Sequence, residues 1–220
     1  MNCIILANGE IKDYQQYKYL FTGKEIIICA DGGVNHTPGL GIIPQLVIGD
    51  MDSASPKILE QLELKGAQIM RYPRDKDQMD TELAIAQGIS QGATSLTFLG
   101  CTGDRLDHTL AAIHLLVPLA LKGLEVKIIS DSHFITVITP KAPATYKGHP
   151  GDIVSLLPLT SMVKGITSRG LRWPLQNSAL ELGKPYAVSN EITEGEVYVS
   201  ICHGVLLFIS IKCEVMSNGQ

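Results

Sequence analysis

The sequence predicts an α/β domain with a mostly parallel sheet over residues 1–131, followed by an all-β sandwich or barrel over residues 132–216. Up to about Asp131, short runs of Ile, Leu and Val alternate with segments of helical spacing, as expected for strands covered on both faces. Near His133 that grammar changes. Pro140, Pro143, Pro150, Pro158 and Pro174 punctuate short strand-like runs, and turn signals such as Lys147-Gly148-His149-Pro150-Gly151-Asp152 recur. No helix-length periodic segment follows Lys122.

In order, the strands expected in the first part are Asn2–Ala7, Glu25–Ala30, Leu46–Ile48, Gln68–Met70, Ser95–Leu99 and Val126–Ser130. Between them Pro56–Lys65 and Gln78–Gln91 have helical spacing, the latter with Leu83, Ala86 and Ile89 on one apolar face. Asp104–Lys122 reads as a longer helix with Leu106, Leu110, Ile113 and Val117 on one side, kinked or shortened by Pro118. In the second part Ile153–Leu157, Met162–Thr167, Gly195–Ile201 and Val205–Lys212 read as strands, with His203-Gly204 turning the last two into a hairpin. Ser217–Gln220 reads as a frayed tail.

Composition excludes several classes. A net charge of −4 lacks the basic footprint of a nucleic-acid binder, and 45% hydrophobic with 18% charged residues is ordinary for a globular chain. Cys3, Cys29, Cys101, Cys202 and Cys213 are an odd, scattered set without CxxC spacing, the pattern of free thiols in a reducing compartment. The first strand starts almost at Met1, leaving no room for a signal peptide. Leu110–Leu121 is the longest apolar stretch and falls short of the ~20 residues of a membrane span. A cytoplasmic protein, bound to neither membrane nor nucleic acid, is the expectation.

Ligands of open parallel sheets bind beyond the carboxyl ends of the strands. There the sequence places Asn8-Gly9, then Asp31-Gly32-Gly33, then Gly49-Asp50-Met51-Asp52-Ser53. Arg74, Asp75, Lys76, Asp77 and Asp80 follow, and finally Gly100-Cys101-Thr102-Gly103-Asp104-Arg105-Leu106-Asp107-His108. In extended chain Asp50 and Asp52 point the same way, and two like charges held close invite a hard divalent cation such as Mg²⁺. Glycines allow close backbone approach, to a phosphate or to the chain itself. A glycine-rich turn opening a helix receives anions on its free N–H groups, and Arg105, of the wrong sign for a first turn, suits a ligand.

Each motif also has a plainer reading. Asp50 with Ser53, and Asp31 before its glycines, serve as turn formers; Asp77 serves as a helix cap; Arg74 and Lys76 are solvated charges; and His108 is simply a first-turn residue. Absences narrow the choice: there is no GxxxxGK[ST], GxGxxG or GxSxG, and no zinc-spaced Cys/His cluster. Carboxylates, glycine turns and a few basic groups suit magnesium-assisted phosphoryl or pyrophosphoryl transfer.

These four acidic and glycine-rich motifs, with Gly170-Leu171-Arg172-Trp173-Pro174-Leu175 and Val188-Ser189-Asn190-Glu191 in the second part, closely resemble the thiamine pyrophosphokinase family in order and spacing. The resemblance covers nearly the whole chain, Ile11–Gly23 and Pro140–Gly151 excepted as surface elements. It implies transfer of the β,γ-diphosphate of ATP to the hydroxyl of thiamine with release of AMP, on an α/β domain followed by a β-sandwich. It also implies a homodimer with the active site between subunits. Asp50, Asp52, Asp77 and Asp80 would surround Mg²⁺ and the phosphates as the catalytic and metal-binding set, with Asp31 nearby. Asp31, Gly32, Lys76, Thr81, Gly103, Asp104, Arg105, Asp107 and His108 would bind ATP. Trp173, Ser189 and Asn190 would line the thiamine site, where an indole face suits a flat cation; otherwise Trp173 belongs in the sandwich core and Asn190 caps a turn. Rival functions are a diphosphokinase acting on a hydroxymethyl-pterin and a non-catalytic nucleotide or thiamine sensor.

Overall fold

The computed structural model describes residues 1–213. The tail expected at Ser217–Gln220, and the last residues of the 132–216 expectation, lie outside the described residues. The chain divides into two units, Met1–Leu115 with Leu124–Asp131, and Leu116–Gly123 with Ser132 onward.

In the first unit the apolar runs become β1 (Asn2–Leu6), β2 (Ile26–Ala30), β3 (Leu46–Gly49), β4 (Gln68–Arg71), β5 (Ser95–Leu99) and β6 (Glu125–Ile129). Their order is β6-β5-β1-β2-β3-β4, with every pairing parallel. Every residue of β2 and β3 is buried, which is why these strands read as continuous apolar runs. The strand order reverses beside β1, so a crevice opens at the carboxyl ends of β1 and β5. Helices α1 (Thr37–Leu40), α2 (Pro56–Leu64), α3 (Asp80–Ser90) and α4 (Leu106–Leu121) complete the connections. Pro56 starts α2 where a missing N–H is harmless. Pro118 does not stop α4, which runs on to Leu121.

Two helical faces differ from the expectation. In α3 the buried residues are Leu83, Ala84, Ile85 and Gly88, whereas Ala86 and Ile89 face outward. Gly88 explains this: a Cβ there would lie 2.8 Å from Cys3 Sγ, so the helix approaches the sheet on its small-residue side. In α4, Leu106 and Leu110 are 67% and 47% exposed, while Ala112, Ile113, Leu116, Leu119 and Ala120 are buried. Ile11–Gly23 is not merely superficial either. It contains a 3₁₀ segment, Tyr14–Leu20, whose Tyr17 is fully buried. Asp131 ties this segment down, accepting from Lys12 N–H, Gln16 Nε2 and Tyr17 Oη at 2.8, 2.8 and 2.6 Å. No helix among the described residues is long and apolar enough to cross a membrane.

The second unit contains two antiparallel sets of four strands, each in a different sheet. One orders β12 (Asn190–Glu191), β9 (Ile153–Pro158), β14 (Leu206–Ile211) and β7 (His133–Ile138). The other orders β11 (Ser178–Glu181), β10 (Met162–Arg169), β13 (Glu196–Ser200) and β8 (Ala144–Lys147). Alternating burial along β9 and β13 is the mark of strands with one face on a core. Val154, Leu156 and Phe208 from one sheet meet Val163, Ile166, Val197 and Val199 from the other in that core. Phe134, Tyr146 and Phe208 add an aromatic cluster with centroids 4.7–6.2 Å apart. The expected hairpin at His203-Gly204 does not form. β13 and β14 lie in different sheets, and the chain crosses between them as Cys202 and His203 both bond to the Lys164 carbonyl. Pro140–Gly151, expected as a surface element, contributes strand β8.

Candidate active site

Gly33 sets the entrance geometry of the first unit: a Cβ there would fall 2.0 Å from the Leu6 carbonyl oxygen. Of the two partners open to the Asp31-Gly32-Gly33 turn, a phosphate or the chain, Gly33 takes the chain. Gly32 is likewise buried against the Asn8 side chain and does not line the adjoining cavity. This close packing turns Asp31 into a left-handed conformation, φ 43°, which Asp tolerates better than most residues.

Asp31 thereby joins Asp50 and Asp52. One carboxylate oxygen from each lies within 4.8 Å of the other two. The convergence of Asp50 and Asp52 arises from a turn rather than from a strand pleat, because Met51 sits at φ 67° and Asp52 N–H donates to Asp50 Oδ1 at 3.1 Å. Asp80, first residue of α3, stands close by, its carboxyl 3.1 Å from where a Gly49 Cβ would be. Burial pushes the Asp80 carboxyl up, Lys76 draws it part of the way back, and the Asp31 and Asp50 charges add to the rise. Asp77 is exposed on the loop before α3 and is not part of the trio. It is not the N-cap either, a position held by Met79, whose N–H donates to Glu82 at 2.8 Å.

The acidic set fits a hard divalent cation. Its donors are carboxylate oxygens, and Asp31 Oδ1 and Asp80 Oδ1 are buried without a hydrogen-bond partner. Asp80 Oδ1 does lie 3.1 Å from Lys76 Nζ, as an ion pair rather than an aligned hydrogen bond. Lys76 also donates to the Pro73 carbonyl at 3.1 Å, and Arg74 stands 3.8 Å from Asp52. Both cations thus rest on the acidic cluster.

A cavity of about 410 Å³ adjoins the cluster, at the strand-order reversal. The loop after β1 (Asn8, Gly9, Glu10) and the loop after β5 (Gly100 to Arg105) form its walls, with Asp31, Ser53 and Thr81 at one side and His108 at another. Glu10, Met79, Thr109, Ala112 and Leu115 also line it and were not singled out from sequence. For α4 the signal was present: His108, Thr109, Ala112 and Leu115 share one helical face. Cys101 lines the cavity too, but burial pushes its thiol up to about 12, so it stays protonated. Arg105 precedes α4 rather than lying in its first turn. It forms a fork to Asp107 through Nε at 3.1 Å and Nη2 at 2.6 Å, which holds Asp107 down to about 2. Arg105 lines the cavity and Asp107 does not.

In the second unit Trp173 is 57% exposed and so is not a core residue. Asn190 is 8% exposed, and its amide is committed to the tryptophan backbone: Oδ1 accepts from Trp173 N–H at 3.1 Å and Nδ2 donates to Trp173 C=O at 2.7 Å. Oδ1 also accepts from Glu191 N–H at 2.9 Å. Asn190 thus holds the Trp173 backbone in place. Arg172 Cζ lies 5.0 Å from the indole centroid, and its Nη1 pairs with Glu191 at 2.9 Å. A flat cation would have to stack on the opposite face or displace that guanidinium. Ser189 is exposed in a left-handed conformation, φ 58°, its N–H bonded to Ser155 Oγ at 3.1 Å.

Residues 17–128 match the thiamin pyrophosphokinase catalytic domain, and residues 137–206 match the thiamin pyrophosphokinase vitamin B1 binding domain. The chain belongs to the thiamin pyrophosphokinase family. It is 27% identical over 169 residues to the thiamine pyrophosphokinase of Bacillus subtilis, covering 77% of this chain and 79% of that protein. The crystal structure of the Bacillus subtilis thiamine pyrophosphokinase superposes with a TM-score of 0.86 at 24% identity, over 97% of this chain and 100% of that one. That of the Geobacillus thermodenitrificans thiamin pyrophosphokinase gives 0.83 at 23%, over 98% and 99%. As a thiamin pyrophosphokinase family member the chain is an enzyme of the kinase type, with an α/β catalytic part followed by an antiparallel β part.

Proposed function

We propose that this enzyme transfers the β,γ-diphosphate of ATP to the hydroxyl of thiamine, releasing AMP, with Mg²⁺ held by Asp31, Asp50 and Asp52. The observation that carries the reading is the convergence of these three carboxylates beside a cavity at the strand-order reversal, in a chain of this family. Asp80 completes the acidic wall. Asp77, exposed on its loop, would meet phosphates or solvent rather than the shared ion.

When bound, Mg²⁺ neutralises the triphosphate and makes its approach to the carboxylates favourable. The chain's own groups then supply position and charge. Thr81 and the Gly103–His108 turn hold the nucleotide, and Lys76 and Arg74, already beside the acids, shift their charge toward the phosphates. The thiamine oxygen forms its bond to the β-phosphorus as the bond to AMP breaks, and a carboxylate of the cluster accepts the hydroxyl proton. Gly32 and Asp107 support this arrangement from behind, through packing and through Arg105.

The second unit takes the acceptor. Thiamine carries a fixed positive charge, and the Trp173 face offers area and a cation–π term of ~0.5–2 kcal/mol, with Ser189 at the rim. Trp173→Ala is expected to raise the Michaelis constant for thiamine roughly ten- to a hundredfold, at 1.4 kcal/mol per decade, and to leave that for ATP unchanged. Asn190→Ala should raise it in the same direction, and the double variant should be little worse than Trp173→Ala alone. Additive losses in steady-state kinetics would show Asn190 acting on the ligand itself.

We also infer a cytoplasmic homodimer whose sites combine the acidic cluster of one subunit with Trp173 of the other. An inactive Asp52→Asn protein mixed with Trp173→Ala should regain activity as subunits exchange. Exchange proven by mass, without recovery, contradicts a shared site. The reaction is tested by mixing protein, Mg·ATP and thiamine: AMP and thiamine diphosphate are expected in equal amounts. AMP formed with a hydroxymethyl-pterin but not with thiamine would transfer the mechanism to a different acceptor, and no AMP with either would leave a binding protein.

A further inference from the structure

His36 is buried, 9% exposed, and both ring nitrogens are in use. Nε2 lies 2.9 Å from the Gly9 carbonyl oxygen and Nδ1 lies 3.0 Å from Tyr14 Oη. A carbonyl can only accept, so Nε2 carries the hydrogen. A neutral imidazole has one N–H, so Nδ1 accepts from the Tyr14 hydroxyl. Burial pushes the imidazole down, with the Gly9 bond opposing, which agrees with the neutral form.

The two walls that meet at this ring are both functional. His36 ends the 3₁₀ segment Asp31–His36, whose first residue belongs to the carboxylate trio. Gly9 lines the cavity and is pinned from its other side by its N–H on the Gly100 carbonyl at 2.6 Å. Tyr14 is held in turn, because the 3₁₀ segment it opens is fastened by Gln16 and Tyr17 to Asp131. A Cβ on Gly39 would overlap the Tyr14 ring at 2.4 Å, so the phenol has little room to move.

We propose that His36 is a positioning residue for the nucleotide, locking the Gly9 rim of the cavity to the segment that carries Asp31, with Tyr14 fixing its tautomer. This rests on the reading that the cavity takes the nucleotide. His36 touches neither substrate nor reacting atoms in this role. It fixes the distance between the glycine rim and the acidic cluster, so its loss loosens the seat of the nucleotide.

The test compares His36→Phe, which keeps a ring but removes both nitrogens, with His36→Gln, which can return an N–H to Gly9. Calorimetric binding of a non-hydrolysable Mg·ATP analogue to the wild type comes first. No binding there overturns the nucleotide reading itself, and this proposal with it. With binding present, His36→Phe should raise the Michaelis constant for ATP about tenfold while that for thiamine and kcat stay within about twofold, and His36→Gln should recover most of the loss. An unchanged ATP constant in folded His36→Phe overturns the proposal, as does an equal fall in every constant or a Gln variant no better than Phe. If His36→Phe fails to fold, Tyr14→Phe decides: a selective rise in the ATP constant supports the lock, and none refutes it.

Discussion

Asp31→Asn should lose at least about two powers of ten in turnover while the metal-free protein becomes more stable. The loss follows from the several kcal/mol of charge stabilisation that a bound cation supplies, at 1.4 kcal/mol per decade. The gain follows from the same geometry. Three carboxylate oxygens within 4.8 Å of each other repel, and even in a watery dielectric one such pair costs about 1 kcal/mol. Asparagine tolerates the left-handed backbone at φ 43° as well as aspartate does, so no backbone penalty masks the effect. Melting without metal should rise by roughly 2–4 °C, and added Mg²⁺ should stabilise the wild type far more than the variant. Calorimetry in chelator and in Mg²⁺ checks both signs. A lower metal-free melting temperature, or equal Mg²⁺ stabilisation of the two proteins, would remove Asp31 from the metal site.

Gly170→Ala should cost about 3 kcal/mol or more of stability, the sum of an unfavourable left-handed residue and an overpacked contact. Gly170 has φ 75°, and a Cβ there would stand 1.9 Å from the Glu196 carbonyl oxygen, so backbone must move. The residue begins the Gly170-Leu171-Arg172-Trp173 turn, hence the displaced chain also carries Trp173 away from Asn190. Urea unfolding monitored by the sole tryptophan measures the loss. A change under 1 kcal/mol would mean that β13 yields more easily than its hydrogen-bonded position between β10 and β8 implies.

The strands of the first unit were legible because parallel strands buried on both faces need continuous apolar runs; Ser95–Leu99 is recovered to the residue. Helical faces were less legible. In α3 the buried face is Leu83, Ala84, Ile85 and Gly88, so the expected stripe of Leu83, Ala86 and Ile89 is rotated about the helix from the one that packs, and Gly88 at the sheet carries no apolar signal. Strands β8, β11 and β12 are short and half exposed, so they carry little hydrophobic signal in a proline-rich stretch. In the site, spacing alone brought Asp50 and Asp52 together. Spacing could not show Asp31 joining them, because left-handed residues at 31 and 51 set those directions. The grip of Asn190 on Trp173 spans 17 residues and has no local pattern. His36 gave no signal either, since one buried histidine in sequence resembles any other.

In the proposed reaction a diphosphate moves as one unit from ATP to thiamine at the acidic cluster. The direct measurement is the fate of ATP labelled separately at its α- and β-phosphates, with thiamine and Mg²⁺ present. Transfer of an intact diphosphate puts the α label in AMP and the β label in the thiamine ester, in equal amounts, with both transfers lost in Asp50→Asn. Appearance of ADP with thiamine monophosphate, or β label released as free diphosphate, would contradict it.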